Sequence, residues 1–153
     1  MSAESARWAI HDLIMTYAAR IDAGDLAGVG ELFREGTLHS GGRRTGREAV
    51  ENWFRDILIL HPDGTPRTRH ATTNVRITVD EDDDTASAHS YFTVFQAAAE
   101  LPLQPIAAGH YDDKFLRRGD EWRFAERTPV LHLTGDLTRH LRLDVLRAAS
   151  PGG

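Results

Sequence analysis

Thr68-Arg69-His70-Ala71-Thr72-Thr73-Asn74 runs directly into Val75-Arg76-Ile77-Thr78-Val79-Asp80, and an acidic turn, Glu81 to Asp84, follows. β-Branched residues at alternate places ahead of a polar turn predict a strand entering a hairpin. Side chains of a strand alternate between faces, so His70, Thr72 and Asn74 are expected on one side and Arg69, Ala71 and Thr73 on the other. An imidazole at a strand entrance is a candidate general base, because histidine titrates nearest neutrality. Position alone fits a half-exposed strand histidine better, so the case rests on the rest of the chain.

Upstream, Ile10, Leu13, Ile14, Tyr17, Ala18 and Ile21 recur at helical spacing and predict an amphipathic helix from Ala3 to Asp22. Gly24 is a stop signal, and Asp25 can cap a short second helix through Val29, Leu32 and Phe33. Tyr17 lies on the apolar stripe. Asp22 stands in the last turn, where a carboxylate gains nothing from the helix dipole and does better beside a cation or imidazolium. Gly36 to Ser40 reads as a short strand with Gly41-Gly42 as its turn, and Thr45-Gly46-Arg47-Glu48 has capping-box spacing for a helix to about Leu60. Its stripe of Val50, Trp53, Phe54, Ile57 and Leu58 seals one wall, as core or as ligand contact. His61 falls in a proline- and glycine-rich loop and is expected to be solvated.

Downstream, Thr85 to Gln96, Ile106 to Arg117 and Glu121 to Leu133 read as three more strands. Ala86, Ala88, Ser90, Phe92, Val94 and Gln96 share a face whose small and apolar character marks it as inward and leaves room for a cavity. His110 belongs to a polar run, Gly109 to Asp113, and can face that cavity or solvent. Trp122, Phe124 and Glu126 are expected on one side. Asp136 to Ala148 reads as a terminal helix or tail able to cover an open end, and Gly152-Gly153 is expected to fray. Helices first, then antiparallel strands, predict an α+β domain with helices closing one side of a strongly curved sheet.

The chain of 153 residues fits a single domain, 1–153, that buries about two thirds of its unfolded surface. An apolar share of 41% and a charged share of 27% suit a soluble protein, with no membrane span and no secretory signal, so the cytoplasm is expected. A net charge of -5, with 18 scattered Lys and Arg residues, argues against a nucleic-acid surface and for small-molecule partners. The absence of cysteine excludes disulfides and thiolate metal sites. None of the eight histidines shows His-x-x-x-His or Glu-x-x-His spacing, so no metal is expected. There is no phosphate-binding glycine loop and no serine nucleophile elbow. General acid-base chemistry without a cofactor remains.

The helix ending Tyr17-Ala-Ala-Arg-Ile-Asp22-Ala-Gly-Asp25, the Arg69-His70-Ala-Thr-Thr-Asn74 strand entrance, and Gly109-His-Tyr-Asp-Asp-Lys-Phe115 followed by Trp122-Arg-Phe124 resemble the SnoaL-like branch of the NTF2-like superfamily. Within it the pattern is similar to scytalone dehydratase, hexachlorocyclohexane dehydrochlorinase and bile-acid 7α-dehydratase, over nearly the whole chain. The resemblance implies a cone-shaped α+β barrel whose curved sheet and helices enclose a deep apolar pocket. It implies that His70 is the base, that Asp22, 48 residues earlier, orients it, and that Tyr17 belongs to the site. Such a dyad would remove a C–H proton from a small cyclic, largely apolar molecule, as a lyase or isomerase. Trp53, Phe54, Phe92, Gln96, His110 and Arg127 are the candidate substrate-binding residues. The second histidine that scytalone dehydratase supplies from its next long strand is missing, with Gln96 at roughly that place. His110 is then the candidate to replace it as leaving-group acid, and Arg127 a candidate pocket cation. The family also contains polyketide cyclases, ring-hydroxylating dioxygenase β-subunits and binding proteins without known chemistry, which are the alternatives. An open curved sheet leaves a face to cover, so a homodimer or homotrimer is expected.

Overall fold

Residues 2–149 are described in the computed structural model. Helix α1 (Ala3–Asp22) starts where the Ser2 hydroxyl accepts the Ser5 N–H, and its stripe of Ala6, Ile10, Ile14, Tyr17 and Ile21 is buried. It ends at Gly24, whose φ of +73° suits glycine and whose α-carbon lies so close to the Gly64 carbonyl that a β-carbon would sit 2.2 Å from that oxygen. Helix α2 (Leu26–Leu32) is capped by Asp25, which accepts the Gly28 N–H at 2.9 Å.

The chain then forms two short strands, β1 (Thr37–His39) and β2 (Arg43–Thr45), of which the second went unread in the sequence. Thr45 belongs to β2, so the expected capping box does not form. Helix α3 (Arg47–Ile57) starts from Gly46 without a side-chain cap and stops before Leu58, which bridges Leu141 instead of continuing the helix toward Leu60. Four long strands follow: β3 (Thr68–Asp80), β4 (Thr85–Ala98), β5 (Leu101–Arg118) and β6 (Glu121–Thr134), then helix α4 (Leu143–Ala149). The expectation for Gly152-Gly153 lies outside the described residues.

The six strands form one α+β sheet in the order β2-β1-β6-β5-β4-β3, antiparallel except where β1 runs parallel to β6. Its edge strands do not meet, so the sheet is curved but unclosed. Helices α1, α2 and α3 cover the concave face, and the core lies between.

Register shifts bend the strands and correct the expected faces. Between Thr73 and Arg76 the ladder slips, and Asn74 adopts a φ of +51°. Thr68, His70 and Thr72 face inward before the slip. Val75, Ile77 and Val79 pack on the core after it, so Asn74 does not share the face of His70. A second slip between Lys114 and Phe115 turns Phe124 and Arg127 inward and leaves Glu126 outside, bound to His39.

Candidate active site

Asp22 closes α1 against the start of β3, and three donors converge on it. Its Oδ2 accepts the His70 backbone N–H at 2.8 Å, while Oδ1 accepts the Thr68 hydroxyl at 2.9 Å and the His70 Nδ1–H at 2.6 Å. Thr68 and His70 share the inward face before the bulge, which is why one carboxylate reaches both. The two side chains of the pair are 7% (Asp22) and 9% (His70) exposed. Burial pushes the Asp22 carboxyl up, but the hydrogen bonds and charge of His70, with the Thr68 hydroxyl, outweigh it and hold the group below its ordinary value. A carboxylate only accepts, so the contact assigns the imidazole proton to Nδ1 and leaves the Nε2 lone pair of the neutral ring available.

His70 lines a cavity of about 320 Å³ between the helices and the sheet. Tyr17, Trp53, Phe54 and Phe92 line it too, along with Val94, Ala107, Tyr111 and the C-terminal residues Leu137, His140 and Leu141. The cavity lies at the Phe92–Val94 end of β4. Ala86 and Ala88, expected to leave room, are packed in the core cluster instead.

Three candidates do not line the cavity. Inward residues of β5 are Tyr111, Asp113 and Phe115, so His110 falls on the outer face beside His132 and Asp112. Gln96 is fully buried and its amide nitrogen donates to the carbonyls of Pro66 and Arg139, a structural tie. Arg127 is buried behind the cavity wall, where Nε and Nη2 bind the two Asp113 oxygens at 2.8 and 3.0 Å. Its guanidinium lies 4.3 Å from the Tyr17 ring centroid and 3.7 Å from that of Tyr111. Burial lowers the affinity of Arg127 for its proton, but Asp113 overrides it and the guanidinium is held more firmly than usual. Burial likewise pushes the Tyr17 hydroxyl up to about 12, against the opposing charge of Arg127, so Tyr17 is a hydrogen-bond donor at neutral pH.

His140 is the residue that sequence reading missed. It comes from the segment between β6 and α4, expected as part of a helix or tail from Asp136, which becomes helical only from Leu143, and its ring centroid lies 6.3 Å from that of His70. It is 6% exposed, and its Nδ1 has no partner among the described residues. Burial, with the nearby His70, pulls its pKa down to about 3, so the ring is neutral. Its segment is tied down on several sides. The His140 carbonyl accepts the Ile59 N–H, the His61 Nε2–H donates to the Arg139 carbonyl at 2.9 Å, and Arg142 Nη1 donates to the carbonyls of Arg55, Asp56 and Leu58. His61 is therefore a fastening and not the solvated loop residue expected.

The arrangement offers an oriented base, a neutral second imidazole and a phenol around an apolar space. Among the described residues, the side chains grouped closely enough to hold a metal ion lie elsewhere, at His89, His110 and Asp112. Among the described residues, no helix is long and apolar enough to cross a membrane.

A family model described as the SnoaL-like domain matches residues 3–128. A search of curated proteins finds no match. Among solved structures, the chain is similar to Rv3472 of Mycobacterium tuberculosis, described as of unknown function, at 25% identity and a TM-score of 0.69, over 83% of this chain and 76% of that one. An NTF2-like protein with a cystatin-like fold from Novosphingobium aromaticivorans matches at 23% identity and a TM-score of 0.69, over 94% and 87% of the two chains. A scytalone dehydratase candidate from the same organism matches at 20% identity and a TM-score of 0.69, over 86% and 87%.

Proposed function

The chain belongs to the SnoaL-like family, with the NTF2-like fold, and from that premise we propose that it is a cofactor-free lyase or isomerase acting on a small cyclic, largely apolar molecule. The observation that carries this reading is the 2.6 Å contact between the Asp22 carboxylate and Nδ1 of a His70 that lines the cavity. His70 Nε2 takes a C–H proton made acidic by a neighbouring carbonyl or leaving group. Asp22 holds the ring in the correct tautomer and stabilises the imidazolium that forms. Tyr17 donates to the oxygen on which charge develops, a contribution of about 3 kcal/mol in well-organised sites. His140 takes the place of the missing second histidine, as a neutral hydrogen-bond donor or acceptor to the departing group. The cavity, about 320 Å³, sits at the lower end of the roughly 300–1,000 Å³ typical of small-molecule sites, which suits one or two fused rings.

Solvent exchange tests the base without knowledge of the natural substrate. Cyclic ketones of one and two rings, incubated with the protein in D₂O, are expected to gain deuterium at the carbon next to the carbonyl, and His70→Ala is expected to abolish the gain. Saturable binding without deuterium incorporation across the panel would favour a binding protein of the same fold, and exchange surviving in His70→Ala would overturn the assignment. The exposed Tyr91, Leu131 and Leu133 support a second copy, as homodimer or homotrimer, covering part of the molecule.

A further inference from the structure

We propose that the outer face of the sheet carries a binding site for a divalent cation of the Zn²⁺ class, held by His89 of β4 and by His110 and Asp112 of β5. His89 is paired directly opposite Asp112, and His110 lies two residues before Asp112 on the same face of its strand. Their ligating atoms all fall within 4.8 Å of one another. His110 Nε2 is 3.1 Å from Asp112 Oδ2, and His89 Nε2 is 3.9 Å from Asp112 Oδ1. The rings of His89 and His110 lie nearly parallel, with centroids 4.9 Å apart. Rotations of the half-buried His89 and His110 and the exposed Asp112 on a fixed sheet bring such donors to the ~2.0–2.2 Å at which nitrogen and oxygen bind Zn²⁺.

A fourth residue makes this more than a cluster of imidazoles. His132 of β6 places Nε2 2.6 Å from His110 Nδ1, a distance that holds a single proton between two nitrogens. With a cation on His110 Nε2, that proton belongs to Nδ1 and is donated to His132, which fixes both tautomer and ring orientation. Outer-shell partners of metal-bound histidines serve this purpose. Two imidazoles and one carboxylate favour Zn²⁺, Ni²⁺ or Cu²⁺ over Mg²⁺, and leave a coordination position for water. That position borders a groove of about 390 Å³, which His89 and Asp112 line together with Arg76, Lys114 and Glu126. Without a cation the same groups form a hydrogen-bonded chain, so the site has a stable state to return to. The His-x-x-x-His and Glu-x-x-His spacings sought in the sequence are those of a helix. This site is assembled across three strands and escapes that search.

The test is calorimetric titration of the tag-free chain, cleared with a chelator, with ZnCl₂ and separately with MgCl₂ near neutral pH. Saturable uptake of one Zn²⁺ per chain and none of Mg²⁺ is expected. His89→Gln and His110→Gln are expected to abolish uptake, and His132→Gln to weaken it about 10- to 100-fold. Co²⁺ in place of Zn²⁺ should give the intense visible bands of tetrahedral coordination, lost in the isosteric Asp112→Asn. Thermal unfolding of each metal-free variant, expected to match wild type, separates lost ligation from lost folding. Absence of saturable Zn²⁺ uptake overturns the site, as does uptake that persists in both His89→Gln and His110→Gln. Uptake lost in His140→Gln but kept in those variants would place the cation in the cavity and overturn it equally.

Discussion

His70 and His140 are imidazoles in one cavity with different surroundings, and the difference sets what each can do. His70 is held by a carboxylate and can accept a proton. His140 has no carboxylate partner, and the cost of charging it in an apolar setting keeps it neutral. On the proposed mechanism, His70→Ala is expected to cost about 10²- to 10⁴-fold in exchange or turnover, measured on any ketone that the wild type deuterates. His140 leaves a second, separate signature in stability. Its pKa is about 3 when folded against 6.5 when free, so between those values the unfolded chain alone takes the proton. The stability present above about pH 6.5 is therefore lost as the pH falls toward 3, at a slope of at most roughly 1.4 kcal/mol per unit. Asp22 acts lower still: its carboxyl is depressed, so the stability it adds is lost as the pH falls through that lowered value. Thermal midpoints followed downward from about pH 7 should fall more gently in His140→Gln than in wild type, so that the difference between the two curves shifts steadily in favour of the variant down to about pH 3.

The strands are where sequence reading succeeded and where it failed. Alternation and turn residues placed the core of all four long strands, because one buried face forces a period of two. The period is a local signal, however, and each bulge resets its phase. Beyond Thr73 the pattern Val75, Ile77, Val79 was legible as strand but not as sharing the inward face of His70, and the slip near Phe115 likewise kept alternation from showing that Arg127, and not Glu126, shares the face of Phe124. The meeting of Asp22 and His70 was legible through resemblance, since matched motifs carry both residues. His140 was not, since the chain before Leu143 is irregular and a helical reading of Asp136 to Ala148 does not say where its side chains point. The Asp113–Arg127 pair was equally hidden, because it joins two strands across a register that only the fold sets. Removing one partner leaves a charge buried without compensation, so Asp113→Ala should cost about 3–5 kcal/mol in denaturant unfolding. Gly109 beside the β5–β6 slip is a second sensitive point. A β-carbon there would meet the Val130 carbonyl oxygen at 2.0 Å, so Gly109→Ala should destabilise by about 1–3 kcal/mol through a forced backbone shift, checked by the same unfolding curve.

At the scale of the whole molecule, the cavity has a fixed wall and a fastened roof. The wall is the sheet with α1 and α3, whose inner faces meet in the core. The roof is the segment from Leu137 to Leu146, held mainly by carbonyl contacts with the last turn of α3 and the loop after it. Arg142 alone spans three of those carbonyls. Arg142→Ala should therefore speed hydrogen exchange at the Ile59 amide, which bonds the His140 carbonyl, while amides of β4 and β5 keep their protection. During synthesis, the same division has an order. When the ribosome has released the strands up to Thr134, the sheet can pair completely, yet Phe92, Val94 and Ala107 still face water across an uncovered hollow. Only the following stretch, carrying Leu137, His140 and Leu141, shields them. A nascent chain paused before that stretch would be a finished sheet with a sticky interior, the state that chaperones recognise.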